Sequence, residues 1–462
     1  MFLKSVEIRH IRSIEHIVLD FRDSASRQGN RKWTIFLGEN GTGKSTVLRS
    51  IGLVLAGSDA LPFLLGEPDS WIRNGSDQAS IAATLQTARN EERCLEIQFK
   101  QGMDRSGFIE HNRKGLDQLD SALAHTQRSY FVVGYGALRR LAMHDMNISR
   151  RGNDPERAQS LATLFDLDAT LNPLQSWAMG LEYRDGKRGT RIIENAMNGL
   201  LPDVSFSRID RHNGDLLFTT PDGDVPLSML SDGYQNVAAW IGDLLYRITE
   251  SFDDYKNPLK TRGLLLIDEI DAHLHPKWQR QLRKYIETKL PEFQIIGTTH
   301  SVLTAQQLEA DECVILNRNE KSNAVSARTF PGVPAELQAH ELLEIGFNVE
   351  TLDSVRLSND KHKYRSLYRK KSKTTRDRQE LQRLAEQFSV LPERDLSFRN
   401  EAIIESQQKQ RKTIEDLLAQ IEGMKSGKLM LKKKTKKRVV KKKAVKKSPT
   451  KKKSRAVRKK TQ

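Results

Sequence analysis

Cysteine is scarce. Cys94 and Cys313 are the only two in 462 residues, too few and too far apart for a disulfide framework, and neither belongs to a CxxC pair that would hold zinc. Both are expected to be reduced and structural. Long apolar runs are missing as well: no stretch approaches the eighteen or so residues of a membrane span, which argues against membrane insertion. The opening MFLKSVEIRHIRS carries charge at Lys4, Glu7, Arg9 and Arg12, so it lacks the apolar core of a secretory signal, and a cytoplasmic location is expected. Acids are absent from residues 425–462, which hold 20 Lys or Arg and no aromatic residue.

That last absence decides how the formal charge of +17 is read. The segment 425–462 carries +20, so the preceding 424 residues carry 17 − 20 = −3. A nearly neutral body is no obvious electrostatic trap for a polyanion, and any strong affinity for nucleic acid belongs to the tail. With so few apolar groups the tail cannot offset the cost of ordering, and a disordered arm is expected. Phosphate neutralisation would give it salt-sensitive, sequence-independent binding to DNA or RNA, and the lack of aromatics argues against base stacking. A purely solubilising role is the alternative.

The body, with 37% hydrophobic and 29% charged residues over the whole chain, has the composition of a globular protein. Alternating apolar and polar residues predict strands over 2–9 and 14–21, and a short apolar strand over 33–37 enters a glycine-rich turn followed by a helix over 44–56. Residues 58–225 mix short strands (94–99, 130–133, 216–219) with helical stretches and read as an inserted lobe. A helix over 232–248, a wholly apolar strand over 264–267, a helix over 276–289 and strands over 294–297 and 312–316 follow. Strands alternating with helices predict an α/β core with a parallel sheet. The expected domains are a core of 1–57 and 226–350, the lobe 58–225, a polar helical region 351–424 and the tail 425–462.

The chemistry begins at Gly38-Glu39-Asn40-Gly41-Thr42-Gly43-Lys44-Ser45-Thr46, which satisfies G-x-x-x-x-G-K-[ST] between a strand and a helix. Its glycines let backbone N–H groups and the helix N-terminus point at phosphate, Lys44 reaches the outer phosphates, and Ser45 is the natural Mg²⁺ ligand. A nucleoside-triphosphate site also needs a carboxylate at the end of a neighbouring buried strand. The run Leu264-Leu265-Leu266-Ile267-Asp268-Glu269 supplies two, with Asp268 for the metal and Glu269 as candidate general base. Alone, such an acidic strand end would often be a solvated sheet edge. The run 295–301 ends its strand at His300, which can hydrogen-bond a terminal phosphate. Leu230-Ser231-Asp232-Gly233 opens a helix with Ser231 and Gly233 placed to donate to an anion, and a second cradle in one chain suggests service to a second copy. Simple capping of that helix by Ser231 or Asp232 is the other reading.

Together these motifs resemble the ABC-type P-loop ATPases of the RecF, SMC and OLD branch rather than transporter subunits. The resemblance rests on GENGTGKST, LLIDEIDAHLHPKWQ, LSDGYQ and TTHS, and on IRHIRSIEHI, where Arg12 matches an arginine that approaches nucleotide; it covers about residues 1–350. It implies an ABC-type head in which two copies sandwich two ATP molecules, Ser231 and Gly233 of one contacting the γ-phosphate held by Lys44 of the other. It also implies His300 as the switch histidine. The layout, including Trp71-Ile72-Arg73-Asn74-Gly75, looks most like the ATPase subunits of bacterial anti-phage systems, Septu and its retron-associated versions, which act with an HNH-nuclease partner. A magnesium-contacting Q-loop glutamine has no clear counterpart; residues 134–140 are the nearest equivalent. His273 and His275 suit a helix-start role better than metal binding. Residues 355–424 show no strands of the kind a Toprim nuclease needs, so nuclease chemistry is expected on another polypeptide. A DNA-repair ATPase of the RecF type and an ATP-bound scaffold without turnover are the alternatives.

Overall fold

The computed structural model describes residues 2–23, 29–86, 91–124, 131–141, 154–198, 204–251, 258–319, 322–349, 351 and 353–389. Its strands are β1 (Phe2–Ile11), β2 (Ile14–Asp20), β3 (Trp33–Leu37), β4 (Gln78–Gln86), β5 (Glu92–Lys100), β6 (Val132–Tyr135), β7 (Arg140–Leu141), β8 (Thr170–Leu171), β9 (Ser205–Asp210), β10 (Asp215–Thr220), β11 (Gly223–Pro226), β12 (Gly263–Ile267), β13 (Phe293–Thr298), β14 (Cys313–Arg318) and β15 (Val325–Thr329). The helices are α1 (Lys44–Val54), α2 (Gly57–Leu64), α3 (Arg105–Ala124), α4 (Glu156–Phe165), α5 (Leu174–Asp185), α6 (Lys187–Met197), α7 (Asp232–Ser251), α8 (Pro276–Lys289), α9 (Val302–Ala305), α10 (Ala339–Phe347), α11 (Val355–Arg369) and α12 (Thr375–Ser389).

The wholly apolar runs form the centre of a six-stranded sheet of order β15-β14-β3-β13-β12-β6. Every pair in it is parallel except β14 with β15. All residues of β3, β12 and β13 are buried, as a sheet covered on both faces requires. Alternate side chains enter two different cores. Ile35, Leu265, Ile267 and Ile295 pack with α7, α8 and β10 through Trp240, Leu244, Leu282 and Phe218. Phe36, Leu264, Leu266 and Ile296 pack on the other side with α1, α4 and the antiparallel sheet β2-β1-β4-β5. This is the expected α/β class, a P-loop sheet with helices on both faces.

Residues 58–225, expected as one lobe, divide among several layers. β4 and β5 extend the sheet begun by β1, β6 is the edge of the parallel sheet, and β9 and β10 join β11 in a separate antiparallel sheet. Gln294 ties the first two sheets together: its side-chain carbonyl accepts from Leu3 N at 2.9 Å and its amide donates to Leu3 O at 3.0 Å, imitating a strand neighbour. The chain divides into two units with the boundary after residue 350. In the second, α11 and α12 share a small core of Tyr364, Leu381, Leu384, Ala385 and Phe388. The helical reading of 390–424 and the lysine tail lie outside the described residues. Among the described residues no helix is long and apolar enough to cross a membrane.

Candidate nucleotide site

Parallel strands deliver their C-terminal ends to one edge of the sheet, and the chemistry-bearing residues follow those ends. β3 runs into the phosphate loop, β12 into Asp268 and Glu269, and β13 into His300. An open cleft of about 240 Å³ lies there, lined by Ser13, Asn40, Gly41, Gly43, Lys44, Ser45, Thr46, Asp268, Glu269 and His300. Four segments far apart in sequence therefore meet in one cleft.

The loop's shape has a local cause. Gly38 has φ of 138°, and a Cβ placed on it would stand 2.3 Å from the Leu316 carbonyl oxygen of β14, so only glycine fits. The Thr42 hydroxyl donates to Glu39 O at 2.8 Å and closes the turn. Lys44 is 6% exposed, and its ammonium donates to Gly38 O and Glu39 O, both at 2.8 Å. Burial lowers its pKa, while Asp268, Glu269 and Glu39 pull the other way.

The carboxylates are held from behind. Asp268 accepts a 2.6 Å bond from the Thr298 hydroxyl, whose oxygen in turn accepts from Glu269 N at 2.7 Å. Glu269 has φ of +49°, a left-handed conformation costing on the order of 1–2 kcal/mol for a non-glycine residue. Neighbouring bonds keep it there: Ile270 N donates to Thr298 O at 3.0 Å, and Arg139 donates to Asp268 O at 2.5 Å and to Glu269 O at 2.7 Å. Burial lowers the His300 pKa from its ordinary value, and the positive charge of Lys44 lowers it further.

Other expected site residues stand elsewhere. Arg12, at the turn between β1 and β2, lies over the Trp71 ring with its guanidinium carbon 4.1 Å from the ring centroid, and its Nε donates to Ser70 O at 3.3 Å. Gly38 and Thr42 shape the loop from outside the cleft lining. Ser231 is exposed just before α7, and neither it nor Gly233 lines the cleft. The block 71–75 braces the β1–β2 turn instead: Arg12 N donates to Trp71 O at 2.9 Å, and Arg73 donates to Ser13 O at 2.8 Å. His275 caps α8, its Nδ1 accepting from Lys277 N at 3.3 Å, which is the helix-start role.

Sequence reasoning missed Ser13, Arg139 and Thr298. Arg139 and Thr298 lie inside quoted motifs but carry no local mark of their roles. The oxygen donors Ser45 and Asp268 suit Mg²⁺, a hard cation that keeps phosphate and water in most of its shell. Among the described residues no group of three or more His, Cys, Asp or Glu could by itself hold a metal ion.

Two family models match the chain, one described as "AAA domain, putative AbiEii toxin, Type IV TA system" over residues 140–305 and one described as "AAA domain" over residues 5–140. A Septu protein PtuA of Bacillus mycoides (strain KBAB4) is 27% identical over 352 residues, 76% of this chain and 44% of that protein. A Septu protein PtuA of Bacillus thuringiensis is 25% identical over 374 residues, 77% of this chain and 86% of that protein. A "Retron Ec83 probable ATPase" of Escherichia coli is 31% identical over 142 residues, 31% of this chain and 26% of that protein. The chain thus spans less than half the length of the first of these relatives. The resemblance read from the motifs, to P-loop ATPases of the RecF/SMC type and to the Septu and retron ATPases among them, is borne out.

Proposed function

We propose that this P-loop ATPase binds ATP with Mg²⁺ in the cleft, hydrolyses it between two copies of the chain, and serves an anti-phage defence system whose effector, of HNH-nuclease type, is a separate polypeptide. The observation that carries the reading is the convergence of Lys44, Ser45, Asp268, Glu269 and His300 on one cleft. Lys44 neutralises the outer phosphates, and the loop N–H groups fix their position. Glu269 accepts a proton from water as the water oxygen bonds to the γ-phosphorus and the bridging P–O bond breaks, leaving ADP and phosphate. His300, kept neutral near pH 7, offers its N–H to the terminal phosphate. Bound Mg²⁺, held by Ser45 and Asp268, would supply further charge neutralisation.

Ser231 and Gly233 of a second copy complete the pocket, with Arg12 approaching the nucleotide from the first. Binding closes the pair and hydrolysis releases it, so the motion is the output passed to the effector. The tail holds DNA or RNA nonspecifically, and the assembly works in the cytoplasm. Glu269→Gln tests the core of this reading. It should keep ATP affinity and accumulate an ATP-bound pair in sedimentation, whereas single copies alone at saturating ATP would count heavily against a shared site.

A further inference from the structure

Arg139 is 6% exposed, and its hydrogen bonds go to no carboxylate. They go to Gly136 O (3.2 Å), the side-chain oxygen of Asn236 (3.3 Å), Asp268 O (2.5 Å) and Glu269 O (2.7 Å). A buried guanidinium satisfied mainly by carbonyls is costly, and burial pulls its pKa down to about 10. The same side chain thus grips the backbone of both acids of the cleft and the first turns of α7, the helix that Ser231 and Gly233 open. A second contact joins the same two places. A Cβ added to Gly233 would lie 2.6 Å from the His273 carbonyl oxygen, so the start of α7 is pressed against the turn that follows Glu269.

We propose that Arg139 and Asn236 are positioning residues of a relay, through which contact of a second copy's nucleotide with the start of α7 sets the backbone of Asp268 and Glu269 in the same chain. The inference rests on the shared-site reading above. Each copy then carries a cleft whose acids respond to the engagement of its own α7, so the two sites of a pair fire as a unit. Glu269 is the member most exposed to this control: its left-handed backbone depends on the bond its carbonyl accepts from Arg139 and the bond its N–H donates to Thr298, and a small shift of either redirects its carboxylate.

Asn236 is half-buried and does not line the cleft, so its substitution tests the relay without emptying the core. The measurement is turnover per chain against chain concentration at saturating ATP and Mg²⁺, beside calorimetric ATP affinity. In the wild type, turnover per chain should rise as copies associate. Asn236→Ala should keep ATP affinity and pair formation while the rise falls about tenfold, the effect of one lost hydrogen bond to a charged group. Asn236→Asp, which keeps an oxygen acceptor for Arg139, should restore it, a rescue that a merely structural role would not produce. A concentration-dependent wild type with an unaltered Asn236→Ala curve overturns the relay alone. A wild type flat in concentration and never paired overturns the shared site, and the relay with it.

Discussion

Asp243 on α7 is the most exacting test of how the helix behind Ser231 is anchored. Its carboxylate is fully buried and accepts four hydrogen bonds: from the Tyr135 hydroxyl at 2.9 Å, Arg247 Nε at 2.7 Å, Asn172 N at 2.9 Å and Asn172 Nδ2 at 2.7 Å. Arg247 is itself 6% exposed. Asp243→Ala leaves that guanidinium buried without its counter-charge, which costs about 3–5 kcal/mol, and orphans the Tyr135 hydroxyl at the edge strand β6. A chain of two units need not unfold in one step, so the local readout is hydrogen exchange of the α7 amides. A loss of about 3 kcal/mol speeds their exchange by roughly 150-fold. Adding Arg247→Met should recover part of the protection, because it removes the stranded charge. Acceleration under about fivefold, or no recovery in the double variant, would refute the claim that this network holds α7 to the parallel sheet.

Lys44→Ala should abolish ATP binding in calorimetry, and undiminished affinity would reject the assigned phosphate loop. The same substitution should raise the His300 titration midpoint towards its ordinary value of 6.5, because one of the two influences lowering it is the Lys44 charge; an unmoved imidazole NMR midpoint contradicts this. The sign for stability follows: the unfolded chain protonates that histidine first, so His300 favours unfolding as pH falls through 6.5. Gly38→Ala should lower stability by about 2 kcal/mol or more and impair ATP binding, since the new Cβ meets Leu316 O in a left-handed backbone. An unchanged Tm with full affinity would show that the loop relaxes freely. Ending the chain at Met424 should remove most nonspecific DNA retention and leave ATPase activity; a shift of DNA at the same salt by the shortened chain would move the binding surface to the body.

What was legible in the sequence was whatever is contiguous in it. β3, β12 and β13 are buried on both faces and read as unbroken apolar runs, and the loop 38–46 and the acids after β12 are continuous motifs, so the expected strand ends and the cleft coincide. α3 was not legible because its apolar stripe is interrupted by contacts that only tertiary structure explains. Asn112 is buried within it and pairs with Gln98 as a strand would, accepting from Gln98 N at 2.7 Å and donating to Gln98 O at 2.9 Å. Arg139 was hidden for a related reason: its partners at Asp268 and Glu269 are 129 and 130 positions away, and nothing local separates it from Arg140 beside it. Ser231 is the residue on which the two kinds of reading still compete. Its place outside its own chain's cleft is what completion of a second copy's pocket requires, and it is equally what a plain helix start would show. The Glu269→Gln pair separates them, because in a trapped assembly a serine that serves the partner's phosphate must lose its solvent exposure, whereas one that only begins α7 has no reason to.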